Sequence, residues 1–212
     1  MSIESVLRAA VKYFELKKCQ FALAGGIIAS IYRSEKRVTA DVDIALAFHE
    51  TPTELAEDVI LTLGLKPAKI TIADLKGGPL WARKRRNSPN CMVVGRNPDE
   101  VEATGIDILL PELCWVTEAV ARAQVNQLDL GFGPLPCVTV EDFILAKLDA
   151  LKDKETRFKD LDDLQSIFLS KCELDLPYLI GRMQKYHLPL PKLLRKEAHY
   201  LLVRAARKIK NK

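Results

Sequence analysis

The sequence predicts an α+β protein, with a sheet domain flanked by helices over residues 1–135 and an α-helical part over residues 136–212. Two observations predict this class. Short apolar runs with strand character alternate with helical periodicity up to about residue 135, and from residue 136 onward the apolar spacing is almost entirely helical. The chain has 212 residues, of which 48% are hydrophobic and 28% are charged. That composition is typical of a folded protein with a core and argues against a disordered or fibrous chain.

The elements of the first part follow from their apolar spacing and end signals. A short apolar run ends at Gly25-Gly26, which predicts a buried strand that turns into a helix. Thr51 is predicted to cap the next helix, because Pro52 follows it and Glu54 lies three residues after it. In order, the predicted elements are helix 2–17, strand 21–24, helix 25–31, strand 42–48, helix 51–63 and strands 91–94 and 106–110.

The second part reads as a series of helices. The first begins at Thr139 or Val140, with Glu141 and Asp142 in its first turn. Three more are predicted over residues 158–169, 176–186 and 191–210. No apolar stretch approaches the roughly 20 residues needed to cross a bilayer, and no secretory signal is visible at the N-terminus. The expected location is therefore the cytoplasm.

The charge is divided unevenly along the chain. The net charge is +4, yet residues 192–212 alone carry +7 and residues 76–90 carry +5, so the remainder is acidic at −8. Lys/Arg clusters beside an aromatic ring are typical of nucleic-acid binding, which makes RNA a candidate partner of the C-terminal basic helix and of the loop with Trp81, Arg83, Lys84, Arg85 and Arg86. The alternative is a solubilising loop and tail.

The cysteines indicate no cross-linked or zinc-binding framework. There are five of them, an odd number, and they are widely spaced. We predict reduced and mostly buried thiols.

Two aspartates carry the strongest chemical signal. Asp41 and Asp43 lie two residues apart in a predicted strand, so both side chains point to the same face. Adjacent carboxylates repel each other unless a cation lies between them, and Mg²⁺ prefers carboxylate oxygens. The pair therefore predicts a divalent metal site.

A third carboxylate would complete the cluster. Asp107 interrupts the apolar strand 106–110, where an unpaired charge is costly. Placed beside Asp41 and Asp43, it would allow two metal ions to be held, as in phosphoryl or nucleotidyl transfer. Glu102 is the alternative third acid. Gly25-Gly26 would let backbone N–H groups approach a phosphate.

These motifs together resemble the DNA polymerase β-like nucleotidyltransferase superfamily. The resemblance looks closest to the minimal bacterial nucleotidyltransferases, including the AbiEii-like toxin branch. It rests on the glycine pair, a helix, the strand Arg37-Val38-Thr39-Ala40-Asp41-Val42-Asp43 and a lone Asp107. The resemblance implies a mixed sheet, an NTP as substrate and two Mg²⁺ ions. Where the family often has Gly-Ser, this chain has Gly-Gly.

The resemblance also implies roles for individual residues. Gly25 and Gly26, with Ser30 and Arg37 near them, would bind the nucleotide; Asp41 and Asp43 would bind both metals; and Asp107, a third ligand, would activate the attacking hydroxyl. In the helical part, which would complete the active-site cleft, Lys147 would neutralise the triphosphate and Asp160 would orient Lys147 or the base. The alternative for Lys147 and Asp160 is a solvated charge pattern.

Three functions follow as hypotheses. The first is Mg²⁺-dependent transfer of a nucleoside monophosphate to an acceptor hydroxyl, such as an RNA or tRNA 3′ end, in a toxin setting with an antitoxin partner. The second is a catalytically inactive nucleotidyltransferase-like module that binds nucleic acid. The third is a small-molecule nucleotidyltransferase that modifies an antibiotic.

Overall fold

A computed structural model describes residues 2–35, 38–47, 49–75, 88–97, 99, 104–131, 133–152, 157–170 and 172–199. Over these residues the chain forms two compact units. The first comprises residues 1–28 and 37–139, and the second comprises residues 29–36 and 140–212. The α+β class, the mixed sheet flanked by helices and the helical C-terminal part are confirmed. The predicted domain division at residue 135 stays a prediction.

A mixed sheet is the centre of the first unit. Its strands are β1 (Phe21–Leu23), β2 (Asp41–Leu46), β3 (Lys66–Thr71), β4 (Asn90–Arg96) and β5 (Gly105–Leu109). Within the described residues the order is β1-β2-β5-β4-β3. Strands β2 and β5 are parallel, and the other neighbours are antiparallel. A separate antiparallel pair joins β6 (Gln127–Asp129) to β7 (Pro134–Pro136).

Among the described residues, five helices belong wholly or partly to this unit. They are α1 (Ile3–Leu16), α2 (Gly25–Tyr32), α3 (Pro52–Thr62), α4 (Ile72–Leu75) and α5 (Val116–Ala123), of which α2 ends in the second unit. Ser2 caps α1 by accepting a hydrogen bond from the Ser5 amide at 3.2 Å. The predicted cap of α3 is wrong in one respect: Thr51 lies at the N-cap position but its side chain makes no capping hydrogen bond.

The two faces of the sheet differ in character. Residues of β4 and β5 alternate between buried and partly exposed, as the period of two requires. On the buried face, Gly95 lies so close to Ile60 of α3 and to Ile106 that a Cβ atom there would overlap both side chains. The buried face therefore forms the core, and the opposite face is left for polar side chains.

The second unit is helical. Its helices are α6 (Val140–Leu151), α7 (Phe158–Leu169) and α8 (Leu176–Lys185), followed by a 3₁₀ turn over Lys192–Leu194. Three of the four predicted helices are thus confirmed. Much of the predicted helix 191–210 lies outside the described residues, as does the basic loop 76–87 with Trp81, Arg83, Lys84, Arg85 and Arg86.

All five cysteines are free thiols, as predicted. Their burial is less complete than expected: Cys91 and Cys137 are buried, Cys19 and Cys172 are half-buried, and Cys114 is exposed. Burial raises the pKa of the Cys137 thiol to about 11, so at neutral pH this group is an uncharged thiol. None of the described helices combines the length and the apolar character that a membrane span requires.

Candidate active site

The three predicted acids lie together on the partly exposed face of the sheet. Strands β2 and β5 are paired so that Asp43 is directly opposite Asp107 and Asp41 is opposite Gly105. Asp41 and Asp43 alternate with the buried Val42, which puts both carboxylates on the same face. The register therefore gathers three carboxylates on two adjacent strands, as the sequence predicted.

The glycine pair approaches one of these acids closely. Gly25 begins α2 with a φ of 59°, and the Gly26 amide donates a hydrogen bond to Asp43 Oδ2 at 3.2 Å. A Cβ atom at Gly25 would overlap the Asp43 carboxylate, and one at Gly26 would overlap the Thr39 hydroxyl. The sequence Gly-Gly is thus required here because the backbone passes directly over the acidic face.

An arginine that sequence reasoning did not single out forms ion pairs with two of the three acids. Arg96, the last residue of β4, places Nη1 2.7 Å from Asp107 Oδ1 and Nη2 3.5 Å from Asp41 Oδ2. Asp107 Oδ1 is buried, and its close contact is this ion pair with Arg96. Asp41 Oδ1 accepts a hydrogen bond from the Gly105 amide at 3.2 Å.

The pKa values of this pair reflect burial and charge. Burial raises the pKa of Asp107, and Arg96 opposes the rise by favouring the ionised carboxylate. Burial also acts to lower the pKa of Arg96, but the hydrogen bond and negative charge of Asp107 outweigh it and raise that pKa above its ordinary value. Arg96 is therefore a permanent cation beside the acids.

The cluster suits a divalent cation in its donor chemistry. Carboxylate oxygens are the ligands that Mg²⁺ prefers, and all three acids share one face. Yet among the described side chains no group of three or more His, Cys, Asp or Glu is arranged to hold a metal ion. The positive charge between Asp41 and Asp107 comes instead from Arg96. Asp41, Asp43 and Asp107 are the residues that would hold the ion.

Gly25→Ala tests the close approach of the backbone to Asp43. The new Cβ is expected to force the Asp43 carboxylate aside, in addition to the strain of a positive φ. Gly64→Ala is the matched control, because Gly64 has a φ of 71° and no heavy atom within 4 Å of a Cβ. We expect Gly25→Ala to lower the free energy of unfolding by about 1–3 kcal/mol more than Gly64→Ala in urea titrations. Equal losses of unfolding free energy in the two variants would contradict the predicted overlap between the new Cβ and Asp43.

The predicted pair in the second unit forms a charge cluster of its own. Lys147 Nζ lies 2.6 Å from Asp160 Oδ1 and 2.8 Å from Asp163 Oδ2. Arg157 Nε lies 2.9 Å from Asp160 Oδ2, and Arg33 forms ion pairs with Asp163 and Asp162. Since buried charges are stable only when paired, this cluster accounts for how Lys147 and Asp160 are held. Their roles toward a nucleotide stay predictions.

The remaining predicted residues lie in the second unit or outside the described chain. Ser30 lies on α2, four residues after Gly26, in the part of the helix that belongs to the second unit. Arg37 and Glu102 are not among the described residues. The nucleotide contacts expected for Ser30 and Arg37 stay predictions.

Sequence reasoning missed two groups of residues. Arg96 falls just after the predicted strand 91–94, and the observed strand is longer by two residues at this end. Its alternation with Met92 and Val94 was the available signal, since it puts Arg96 on the same face as Asp107. Arg33 and Asp163 are paired over a separation of 130 residues, and nothing in the local sequence indicates that contact.

Comparisons with known proteins identify solved structures with a similar fold. No protein-family model matches the chain, and no curated protein sequence matches it. The solved structure of the antibiotic-resistance factor ANT(2'')-Ia is 13% identical, with a match that covers 94% of this chain and 100% of that chain at a TM-score of 0.53. The solved structure of an antigenic nucleotidyltransferase-like protein from Paracoccidioides brasiliensis is 12% identical. That match covers 97% of this chain and 88% of that chain at a TM-score of 0.45.

These structural neighbours are nucleotidyltransferases or resemble them, and none singles out the AbiEii-like branch. At 13% identity, the similarity to ANT(2'')-Ia concerns the fold alone. The chain has a nucleotidyltransferase-type α+β fold.

Proposed function

We propose that this protein is a nucleotidyltransferase that, with the help of Mg²⁺, moves a nucleoside monophosphate from an NTP to an acceptor hydroxyl and releases pyrophosphate. The observation that carries the proposal is the in-register placement of Asp43 opposite Asp107, with Asp41 on the same face. The backbone of Gly25-Gly26 passes over this face. The fold shared with ANT(2'')-Ia supports the same conclusion.

Each part of the cluster has a task in this reaction. Asp41 and Asp43 would hold the Mg²⁺ ion. Asp107 accepts the proton of the attacking hydroxyl. The N-terminus of α2 attracts the phosphates through the positive end of the helix dipole. When bound, Mg²⁺ supplies charge stabilisation for the attacking and leaving oxygens. Lys147, where it meets the nucleotide, contributes a further cation.

A labelled-nucleotide assay tests the proposal. The purified protein is incubated with each α-labelled NTP, Mg²⁺ and, in separate reactions, total RNA or hydroxyl-bearing antibiotics. We expect transfer of label to one acceptor class and loss of that transfer in EDTA. No transfer from any NTP to either class would refute the enzyme.

The same assay distinguishes between a small-molecule acceptor and RNA. ANT(2'')-Ia is an antibiotic-resistance factor, which favours a small-molecule acceptor. The RNA 3′ end and the antitoxin partner rest on the sequence resemblance and on basic segments that lie mostly outside the described residues. Label on the antibiotic supports the first acceptor, and label on RNA supports the second.

A second candidate is a module that binds nucleotides or nucleic acid without catalysis. The ion pairs of Arg96 with Asp41 and Asp107 favour it, because they neutralise acids that a metal would otherwise neutralise. Such a module would bind NTP with the same affinity in Mg²⁺ and in EDTA, whereas the enzyme would bind it more tightly in Mg²⁺. Calorimetric titration of NTP under both conditions separates the two.

A further inference from the structure

The guanidinium of Arg96 is held at the acidic face by more than one contact. Besides its ion pairs with Asp107 and Asp41, Nη1 donates to the Gly95 carbonyl at 2.9 Å and lies 3.3 Å from the Ile106 carbonyl, to which it also donates. The side chain is 43% exposed, so one side of the group still meets solvent. Arg96 is therefore held beside the acids by several contacts, while part of its side chain is exposed to solvent.

The strand beside it makes room for this position. Gly105 on β5 is paired with Asp41, and a Cβ atom at Gly105 would overlap Arg96 Nη1 and crowd Asp41 Oδ1. Gly105 does not have a positive φ, so its backbone conformation does not require glycine. The missing side chain instead opens the space between Asp41 and Asp107 that the guanidinium fills.

We propose that Arg96 is the resident counterion of the acidic cluster and is displaced from Asp107 when a divalent cation binds. This inference rests on the proposed function and names a residue that regulates its metal site. Arg96 is a positioning residue: it keeps Asp41 and Asp107 in place between metal-binding events and sets the metal affinity through competition.

The competition follows from charge and geometry. Arg96 contacts Oδ1 of Asp107 and Oδ2 of Asp41, and a divalent cation held by the same carboxylates would repel the guanidinium. Releasing the guanidinium costs the free energy of its interactions with two carboxylates. The free energy of metal binding is reduced by the same quantity, compared with carboxylates that have no arginine beside them. The half-exposed side chain can leave toward solvent without disturbing the core.

Mn²⁺ binding to the metal-free protein provides the test. Mn²⁺ accepts the same carboxylate ligands as Mg²⁺ and can be titrated by electron paramagnetic resonance without any turnover. Arg96→Gln is expected to bind Mn²⁺ at least roughly tenfold more tightly than the wild type, since hydrogen bonds to charged groups are worth about that factor or more. Arg96→Lys, which keeps the charge but loses the planar guanidinium, is expected to fall between them.

Arg8→Gln is the matched control. It makes the same change of net charge in the same unit, but Arg8 is an exposed residue of α1 paired with Glu4. Its Mn²⁺ affinity is expected to equal that of the wild type. If Arg96→Gln fails to fold, the comparison of Arg96→Lys with the wild type decides the question in the same direction.

The outcomes separate this inference from the proposed function. Tighter Mn²⁺ binding by the Arg96 variants supports both. Mn²⁺ binding that is equal or weaker in the Arg96 variants overturns the counterion role and leaves the metal-dependent enzyme standing. An absence of Mn²⁺ binding in every variant overturns both, and transfer of label in EDTA would then show an enzyme that works without the metal.

Discussion

Asp43→Asn is expected to lower nucleotide transfer by a factor of about a thousand or more. Asp43 lies in the middle of the acidic face, opposite Asp107 and in contact with the Gly26 amide. An amide at this position keeps the shape and can still accept that hydrogen bond, but it removes a full negative charge. Loss of several kcal/mol of metal-dependent stabilisation corresponds to this factor in rate. The measurement is the rate of label transfer at saturating NTP and Mg²⁺.

Asp58→Asn controls for the loss of one carboxylate. Asp58 lies on α3, accepts a hydrogen bond from the Tyr13 hydroxyl and is also near Lys17. Transfer by this variant is expected to match the wild type. Both variants should give wild-type circular dichroism spectra, so a fall in rate reports on the site rather than on folding. Transfer by Asp43→Asn within tenfold of the wild type would exclude Asp43 from the reaction.

Asp163→Ala is expected to destabilise the second unit by about 3–5 kcal/mol. The Asp163 side chain is fully buried and lies between Lys147, at 2.8 Å, and Arg33. Removing it leaves Lys147 with Asp160 and Arg33 with the exposed Asp162 as their remaining carboxylate partners. Breaking a buried ion pair by removing one partner typically costs that much. The free energy of unfolding is measured by urea titration, with helical content followed by circular dichroism.

Asp162→Ala provides the comparison for Asp163. Asp162 also binds Arg33, at 2.7 Å, but its side chain is 64% exposed. Because Asp162 is exposed, water and salt screen this ion pair, and its loss is expected to cost about 0–1 kcal/mol although Arg33 itself is buried. A similar loss of stability in the two variants would show that burial does not set the strength of this cluster.

The parts of the site that could be predicted are those that depend on residues close together in the sequence. The shared face of Asp41 and Asp43 follows from the period of a strand, which is a local property. That Asp107 joins them was inferred from the cost of a lone charge in an apolar strand, and the parallel pairing of β2 with β5 places it there. The glycine pair was expected to meet phosphate, but the structure adds a local reason: the contact of Gly26 with Asp43.

The strands that were missed have weak patterns for physical reasons, whereas the missed helix α5 does not. Strand β3 contains Pro67 and two lysines and lies at the edge of the sheet, so it lacks the apolar alternation of a buried strand. Strands β6 and β7 are only three residues long each. Helix α5 has a clear apolar stripe, with Val116, Ala119, Val120 and Ala123 buried, and that spacing was available in the sequence.

Residue spacing along the chain was sufficient to predict the fold class, three of the helices in the second part and the face on which Asp41 and Asp43 lie. The cation that meets the acids depends instead on contacts between separate strands. Arg96 reaches Asp107 and Asp41 through the antiparallel pairing of β4 with β5 and the space left by Gly105. Strand register is set by packing across the whole sheet, so a neighbour of this kind is fixed only when the strands are brought together.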